Sequence, residues 1–294
     1  MSKILKLATE KDASVIYQFV KLLAKTHGKD GVSFSMSENL FIDGFRKRYF
    51  NVHLFKENEH EINGILLHMK EYSIKLNGFG AYLDDFYLDP TLRGKGLGKR
   101  MLSELCNDLL KNGQKFIKVV FNKNLDLDNF YNHLGFVNQT DKCSMNLYEG
   151  IGQDLDSILK FKDTSTNDLS FKKIQSDNLF PIYEINVREK SKEFKFCCQF
   201  FFNSWLGFGL LFSDFHGETE IVRLSDFKST VEYLLNEVGW NRKVIKTLWW
   251  HVLDKQKELG KCILSCEAEN LHCEGWKVSI LDQKGMEKLA GMLN

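Results

Sequence analysis

The chain has 294 residues, which is enough for two modest domains with a sizeable core. Its formal net charge of +1 provides no strongly basic surface, so we expect no nucleic-acid partner. Seven cysteines, an odd number without the spacing of a small disulfide scaffold, predict reduced thiols and a cytoplasmic location.

The sequence also predicts no membrane segment. Its N-terminus lacks an apolar signal core, so we expect no secretion by that route. The most apolar stretch, residues 197–212, is interrupted by Gln199, Asn203 and Ser204 and is too short to span a bilayer comfortably. Two aromatic strands joined by a turn fit that stretch better.

The first half of the chain predicts an α+β order of elements. After a short strand, apolar residues at helical spacing indicate a helix over residues 11–27, and a second helix follows with Ser37 as its N-cap. A glycine-rich loop near residue 94 precedes a helix that ends near residue 111. The other predicted elements are strands over 51–58, 61–73, 78–89, 115–123 and 136–148, and a short helix over 125–134.

The second half predicts a similar order of elements after a linker. We expect one domain over residues 1–150, a connecting segment over 151–170 and an α+β domain over 171–294. The predicted elements of that domain are helices over 178–190, 229–238 and 242–259, strands up to 215 and over 219–227, 261–269 and 276–282, and a terminal helix.

Two short stretches of the first half are similar in sequence to stretches of the second half. Residues 78–86 (GFGAYLDDF) resemble residues 207–215 (GFGLLFSDF), and residues 111–124 resemble residues 257–270. The two pairs have different offsets, so they fit either a diverged duplication or two unrelated α+β domains with similar local patterns.

The loop RGKGLG places Gly94, Gly96 and Gly98 directly before a predicted helix. Backbone N–H groups and the positive end of a helix dipole converge at such a point, which favours phosphate. The spacing excludes the G-x-G-x-x-G dinucleotide fingerprint, and Arg93 stands where a Walker A loop needs its first glycine. A glycine-rich turn without a ligand remains the alternative.

What fits is Arg-Gly-x-Gly-x-Gly, and here the chain resembles the GCN5-related N-acetyltransferase (GNAT) family. Arg93, Gly96 and Gly98 match the family motif Arg/Gln-x-x-Gly-x-Gly/Ala. A second motif follows in the expected order, and its matching residues are Asn124, Phe130, Tyr131, Gly135 and Phe136. The resemblance covers residues 1 to 148.

The resemblance implies a GNAT fold, which is a mixed, mainly antiparallel sheet flanked by helices, and acetyl-CoA as co-substrate without a metal. It also implies that the glycine loop holds the pyrophosphate of acetyl-CoA and that the strand around residue 87 pairs with the pantetheine arm. The implied coenzyme-binding residues are Phe86, Tyr87, Leu88, Arg93, Gly94, Lys95, Gly96, Leu97, Gly98, Lys99, Asn124 and Tyr131.

Within that family, the first half is most similar to the diamine acetyltransferases of the spermidine/spermine and thialysine types. The similar short sequences are LAK, which begins at residue 23, DGF, which begins at residue 43, and YLDDFYLDPTLRGKGLG, which begins at residue 82. The chain departs from them at His27 and Lys29, where those enzymes tend to be acidic. We therefore expect a primary amine of a small molecule as acceptor, either a polyamine or an amine of different size and charge.

Amine acetylation needs a base, because a free alkylamine has a pKa near 10.4. Asp84 or Asp85 could remove the proton, and alternation along a strand predicts that only one of them lines the pocket. By resemblance we choose Asp84, with Asp85 second; solvated strand-end charges are the alternative. The resemblance assigns Tyr131 as the acid that protonates the coenzyme sulfur, whereas simple packing of its ring is the other interpretation.

The second half carries neither motif, so we expect one coenzyme per chain. Its sequence predicts either a degenerate GNAT-like repeat that flanks the catalytic domain or an unrelated α+β domain. Diamine acetyltransferases are dimers, so the chain predicts either a homodimer or an intramolecular pseudo-dimer.

Three further interpretations remain open at this point. The first is transfer to a protein or peptide amine, and the second is coenzyme binding with little turnover. The third is a metal site at Cys262, Cys266, His272 and Cys273, although this spacing matches no common zinc pattern and we expect ordinary thiols instead.

Overall fold

The computed structural model describes residues 4–27, 34–57, 61–143, 145–151, 167–174, 181–240, 245–253, 255–264, 268–271 and 276–292. Its strands are β1 Leu5–Leu7, β2 Asn51–Phe55, β3 Gly64–Ser73, β4 Gly78–Leu88, β5 Phe116–Asn122, β6 Val137–Asn138, β7 Met145–Ile151, β8 Asp168–Ile174, β9 Ile182–Glu189, β10 Lys192–Asn203, β11 Gly207–Gly217, β12 Ile245–Leu253, β13 Glu269–Asn270 and β14 Trp276–Asp282. Its α-helices are α1 Ala13–His27, α2 Glu38–Arg46, α3 Leu97–Lys111, α4 Asp128–His133, α5 Gln139–Cys143, α6 Leu224–Val238, α7 Lys257–Leu264 and α8 Gln283–Gly291.

The described strands form two sheets of seven strands each. The first has the order β1-β2-β3-β4-β5-β14-β6, and the second has the order β13-β7-β12-β11-β10-β9-β8. In the first sheet β4 and β5 are parallel and the other pairs are antiparallel. In the second sheet β11 and β12 are the parallel pair. A helix connects the parallel strands in each case, α3 in the first half and α6 in the second.

The two halves exchange one strand each. Strand β14, near the end of the chain, lies between β5 and β6 of the first sheet, with Val278 opposite Val120. Strand β7, which follows the first half, pairs instead with β12 of the second sheet. A boundary at residue 150 therefore does not separate the two sheets, because each half is completed by a strand from the other part of the sequence.

The pairing of the two parallel strands ends at equivalent positions in the two sheets. Pairing of β4 with β5 ends at Leu83 and Val119, and pairing of β11 with β12 ends at Phe212 and Trp250. Leu83 and Phe212 also occupy the same place in the sequence echo of residues 78–86 and 207–215. The predicted fold, a mixed and mainly antiparallel sheet flanked by helices, is thus confirmed, and the described second half repeats its parallel pair with a connecting helix. The similarity between residues 111–124 and residues 257–270 does not reflect equivalent structure. Residues 257–264 form α7, whereas residues 116–122 form β5.

Several elements of the second half differ from their prediction. Residues 182–189 form a strand because buried residues alternate there with more exposed ones, as Ile185 and Val187 show. Residues 245–253 form a strand rich in β-branched and aromatic side chains. The stretch around Cys262 is helical, with Leu259 and Ile263 buried four residues apart. Residues 219–221 form a 3-10 turn and residues 224–227 begin α6, where a strand was predicted.

A continuous apolar core joins the two sheets. The rings of Phe50 in the first half and Phe202 in the second stack with centroids 5.0 Å apart. Tyr82 and Trp249 form an edge-on pair across the same boundary. Buried aromatic pairs of this kind stabilise the packing of the two halves against each other, as they stabilise the interior of a single domain. No helix among the described residues meets the length and apolarity that a bilayer crossing requires.

Candidate active site

The glycine loop ends at the N-terminus of α3. Gly96 is the N-cap, and both Gly94 and Gly96 have positive φ angles, 76° and 78°, which side chains rarely adopt. Neither residue would meet an atom within 4 Å if it carried a Cβ, so the backbone here is open to a ligand. The first N–H groups of a helix lack partners inside it, and no side chain caps this one. The loop therefore has the geometry of an anion site.

A cavity of about 1050 Å³ opens beside the loop. Nine of the predicted coenzyme-binding residues line it, namely Phe86, Tyr87, Leu88, Arg93, Gly94, Gly96, Gly98, Lys99 and Tyr131. Lys95, Leu97 and Asn124 do not, and the backbone N–H of Asn124 is bonded to Asn122 Oδ1. The sequence motifs did not indicate the apolar side chains of Leu22, Leu125 and Leu127, nor the contributions of Asn129 and His133. Phe130, a residue of the second motif, also lines the cavity.

The two predicted carboxylates, Asp84 and Asp85, directly precede Phe86, a residue of the cavity wall, on β4. A β-bulge shifts the register there, so that Leu67 faces Asp85 and His68 faces Leu83. Asp84 is thus the extra residue, and strict alternation of the strand is broken. Both carboxylates contact Ser204 of the second half, and neither lines the cavity of about 1050 Å³, so the choice between them as the pocket residue stays a prediction.

Ser204, in the turn between β10 and β11, holds the carboxylate pair. Its backbone N–H donates to Asp84 Oδ2 at 3.0 Å, and its hydroxyl donates to Asp85 Oδ2 at 2.7 Å. The indole Nε1 of Trp205 lies 3.4 Å from Asp85 Oδ1. The carbonyl of Trp205 in turn accepts from the backbone N–H groups of Ser35 and Met36, which ties the turn to the first half.

Burial changes the acidity of both carboxylates. It raises the pKa of Asp84 to about 6, against the opposing hydrogen bonds from Ser204. It raises the pKa of Asp85 to about 8, and the neighbouring charge of Asp84 contributes to this rise. The pair therefore retains a proton into the neutral range. A carboxylate with a raised pKa is a better base than an ordinary solvated aspartate.

Tyr131 lies on α4 and lines the cavity with a buried side chain. Its ring packs against Phe121 and Phe136 at centroid distances of 5.0 and 5.1 Å. Burial raises the pKa of the phenol well above its ordinary value, so the hydroxyl stays protonated. The structure thus shows both features that the sequence offered as alternatives, a packed ring and a position at the cavity wall.

The corresponding helix of the second half, α6, begins differently. The N-cap of α6 is Arg223, and Asp226 Oδ2 accepts its backbone N–H at 2.8 Å. Asn167 Nδ2 donates to the same oxygen at 3.0 Å. The helix N-terminus is therefore satisfied by a carboxylate of the chain itself, where the first half has open glycines.

The metal hypothesis receives no support at its one described residue. Cys262 lies in α7 and not in a strand, while Cys266, His272 and Cys273 lie outside the described residues. Among the residues that the structure does describe, no group of His, Cys, Asp and Glu is arranged to hold a metal ion. Lys29, where the chain departs from the diamine enzymes, also lies outside the described residues.

Residues 21–136 match the model of the acetyltransferase (GNAT) family. The match includes β4, the glycine loop and α4, which carry the geometry described above. No curated protein matches the chain.

Solved structures of acetyltransferases are similar to the chain at low identity. A tandem GNAT protein from the clavulanic acid biosynthesis pathway is 9% identical over 95% of this chain and 98% of its own, with a TM-score of 0.47. A predicted acetyltransferase with acetyl-CoA from Clostridium acetobutylicum is 20% identical over 45% and 88%, with a TM-score of 0.39. A ribosomal-protein-alanine N-acetyltransferase from Brucella melitensis is 17% identical over 46% and 85%, with a TM-score of 0.38.

The family match covers less than half of the chain, and it agrees with the prediction made from the two motifs. The described residues of the first half have the GNAT fold, with the open helix N-terminus that the motif requires. Residues 21–136 are therefore similar to the acetyltransferases of the GNAT family.

Proposed function

We propose that the chain transfers an acetyl group from acetyl-CoA to a primary amine of a small molecule, with one coenzyme per chain. The observation that carries the proposal is the open N-terminus of α3 beside a cavity of about 1050 Å³. Arg93 donates from Nε to the carbonyl of Leu88 at 3.0 Å and so fixes the loop against the end of β4. The first half supplies this cradle, whereas among the described residues of the second half Asp226 caps the N-terminus of α6.

Each residue has a role that follows from its position in the fold. Beyond Leu83 and Val119 the strands β4 and β5 no longer pair, so the backbone of Phe86 to Leu88 is available to the pantetheine arm. The pair Asp84 and Asp85 removes a proton from the incoming ammonium group. Tyr131 then gives its proton to the departing thiolate sulfur, which accepts one as the new amide forms.

A small acceptor fits the surroundings of the carboxylates better than a polypeptide does. Asp85 is only 3% exposed, and the turn over Ser204 and Trp205 covers it. An extended peptide needs an open groove, whereas this turn is bonded to Ser35 and Met36 on its other side. The second half acts in this proposal as the covalently attached partner subunit of a pseudo-dimer.

The direct test is thiol release from acetyl-CoA with a panel of polyamines, amino acids, aminoglycosides and peptides. We expect release with small primary amines, and we expect none with the Gly96→Asp variant. Turnover restricted to peptides would contradict the proposed acceptor. Unchanged coenzyme affinity in Gly96→Asp, measured by calorimetry, would contradict the proposed function itself.

A further inference from the structure

Helix α4 carries the proposed acid Tyr131, but it is only 6 residues long. A helix of that length is unstable by itself, because its nucleation costs more than its few hydrogen bonds return. Its N-cap residue, Leu127, makes no side-chain hydrogen bond to the first turn. The backbone N–H of Tyr131 donates to the carbonyl of Leu127, so the phenol lies one turn from this uncapped end. The placement of the phenol therefore depends on contacts between α4 and the rest of the chain.

Asp128, the first residue of α4, is held at both of its carboxylate oxygens. Lys277 Nζ donates to Oδ2 at 2.8 Å, and Asn138 Nδ2 donates to Oδ1 at 3.3 Å. The side chains of Lys277 and Asp128 are only 19% and 28% exposed, so solvent screens this ion pair less than it screens a surface pair. Lys277 Nζ also lies 3.4 Å from Asp141, whose side chain is 63% exposed. Lys277 and Asn138 together thus anchor the first turn of α4.

Both anchoring residues depend on the exchanged strand β14. Lys277 belongs to β14, and Asn138 belongs to β6, where it stands opposite Ser279 of β14. Lys277 also stands opposite Phe121 of β5, and directly opposite residues of an antiparallel pair have their side chains on the same face of the sheet. The ring of Phe121 stacks on Tyr131 with centroids 5.0 Å apart. Strand β14 therefore supports α4 at the same face that supports the ring of Tyr131.

The hydroxyl of Tyr131 is held only indirectly. No residue in the described part of the chain forms a hydrogen bond with it, and the ring packs against Phe121, Phe130 and Phe136. Phe130 belongs to α4 itself, and the backbone N–H of Phe136 donates to the carbonyl of Tyr131, so both rings move with the helix. The direction of the phenol relative to the cavity is therefore determined by Phe121 and by the contacts that hold the first turn of α4.

We propose that Lys277 is a positioning residue for acetyl transfer, an inference that rests on the proposed function. It holds Asp128, and with it the first turn of α4, so that the phenol of Tyr131 points at the departing sulfur. Lys277 is not among the residues that line the coenzyme cavity, so it acts through α4 and not on the substrates. A strand that follows the whole second half in sequence thereby takes part in orienting the acid of the first half.

The test is steady-state turnover of the full-length chain in a double-mutant cycle. Lys277→Met keeps the apolar stem and removes the charge, and it should lower kcat about tenfold or more with little change in the KM of the amine. Lys277→Arg can still donate to Asp128 and should recover most of the turnover. In a Tyr131→Phe background Lys277→Met should have no further effect on kcat, because no phenolic proton is left to direct. Lys284→Met, the same change at an exposed position of α8, should leave kcat unchanged.

Amide hydrogen exchange supplies a second measurement that needs no acceptor amine. Lys277→Met should speed exchange in residues 128–134 and leave the amides of α3 unchanged. Normal kcat or normal exchange in Lys277→Met would overturn the inference. So would an equal loss of kcat in the Tyr131→Phe background, because Lys277 would then act through general stability. Absence of thiol release from the unmodified chain would contradict the proposed function, whereas normal release in Lys277→Met would contradict this inference alone.

Discussion

Helices α3 and α6 occupy the same place in the two halves, yet they begin in opposite ways. The N-terminus of α3 follows Gly94 and Gly96, which hold left-handed conformations and leave the backbone open. The N-terminus of α6 is closed by Asp226, a buried side chain that accepts from Arg223 and Asn167. The same arrangement of strands and helix thus carries an open glycine loop in one half and a self-capped helix in the other, and a few residues decide which.

Each half also contacts a carboxylate of the other half through a serine at one of its turns. Ser204 of the second half bonds the carboxylates of Asp84 and Asp85, and Ser73 of the first half lies 3.4 Å from Asp214. Asp214 occupies the position of Asp85 in the sequence echo. The contact is reciprocal, but only one of its two sides lies next to the coenzyme cavity. Matched substitutions at Ser204 and Ser73 should therefore distinguish an effect on catalysis from an effect on the packing of the two halves.

Removing the exchanged strand should have the largest effect. A chain that ends at residue 271 lacks β14, and with it the buried contacts of Val278, Leu281 and Met286 in the first half. We expect no coenzyme binding and no cooperative thermal unfolding of the first half, and partial recovery of binding when a peptide of residues 272–294 is added. If the shortened chain bound coenzyme as well as the full chain, β7 would be able to replace β14 and the exchange would not be required.

Gly96→Asp should lower coenzyme affinity by about 100-fold or more, because it adds both backbone strain and a negative charge where phosphate is held. Calorimetry with acetyl-CoA measures this directly. Gly113→Asp is the matched control, since Gly113 also has a positive φ and open space around its Cβ position but lies at the other end of α3. Equal losses of affinity in both variants would mean that strain alone is responsible.

Tyr131→Phe should reduce turnover by about 100-fold, in the range expected for the loss of a general acid, and should leave coenzyme affinity unchanged. Single-turnover kinetics and calorimetry together check this. Tyr183→Phe in the second half removes a buried hydroxyl bonded to Glu237 and should affect stability only. An unchanged turnover in Tyr131→Phe would leave the phenol with a packing role.

Ser204→Ala and Ser73→Ala should each lower the free energy of unfolding by about 1 kcal/mol or less. Only Ser204→Ala should move the acid limb of the kcat/KM profile to higher pH, because the lost hydroxyl stabilised the charged form of Asp85. The measurement is the pH profile of both variants. Parallel shifts in both would show that the turns act through assembly of the halves.

The last comparison concerns how the stability of the chain depends on pH. Burial raises the pKa of Asp85 above that of the unfolded chain, so its contribution to stability is present at low pH and is lost as pH rises toward about 8. Asp85→Asn has no charge to bury, so its stability relative to the parent should increase between pH 5 and pH 9. Urea unfolding at the two pH values measures this, and a relative stability that falls over the interval would contradict it.

The first half could be predicted well up to residue 135 because its signals are local. Its predicted strand over 136–148 is wrong, since residues 139–143 form α5 between β6 and β7. Gly94, Gly96 and Gly98 before an amphipathic helix determine a loop whose backbone can approach phosphate, and no distant contact is needed to form it. The helix over residues 229–238 and the strand over 276–282 were likewise predicted from spacing alone. The strand over residues 245–253 was not, because Ile245 to Leu253 is almost uniformly apolar and a buried strand has no period that separates it from a helix.

The sequence by itself determined most elements of the first half and the open glycine loop before α3, since glycine conformation and amphipathic spacing act over a few residues. Only the tertiary structure decided that β7 and β14 change places, because sheet pairing joins segments more than a hundred residues apart. It also decided that Asp84 and Asp85 contact the same serine, since the bulge in β4 depends on its pairing with β3 and Ser204 comes from the other half.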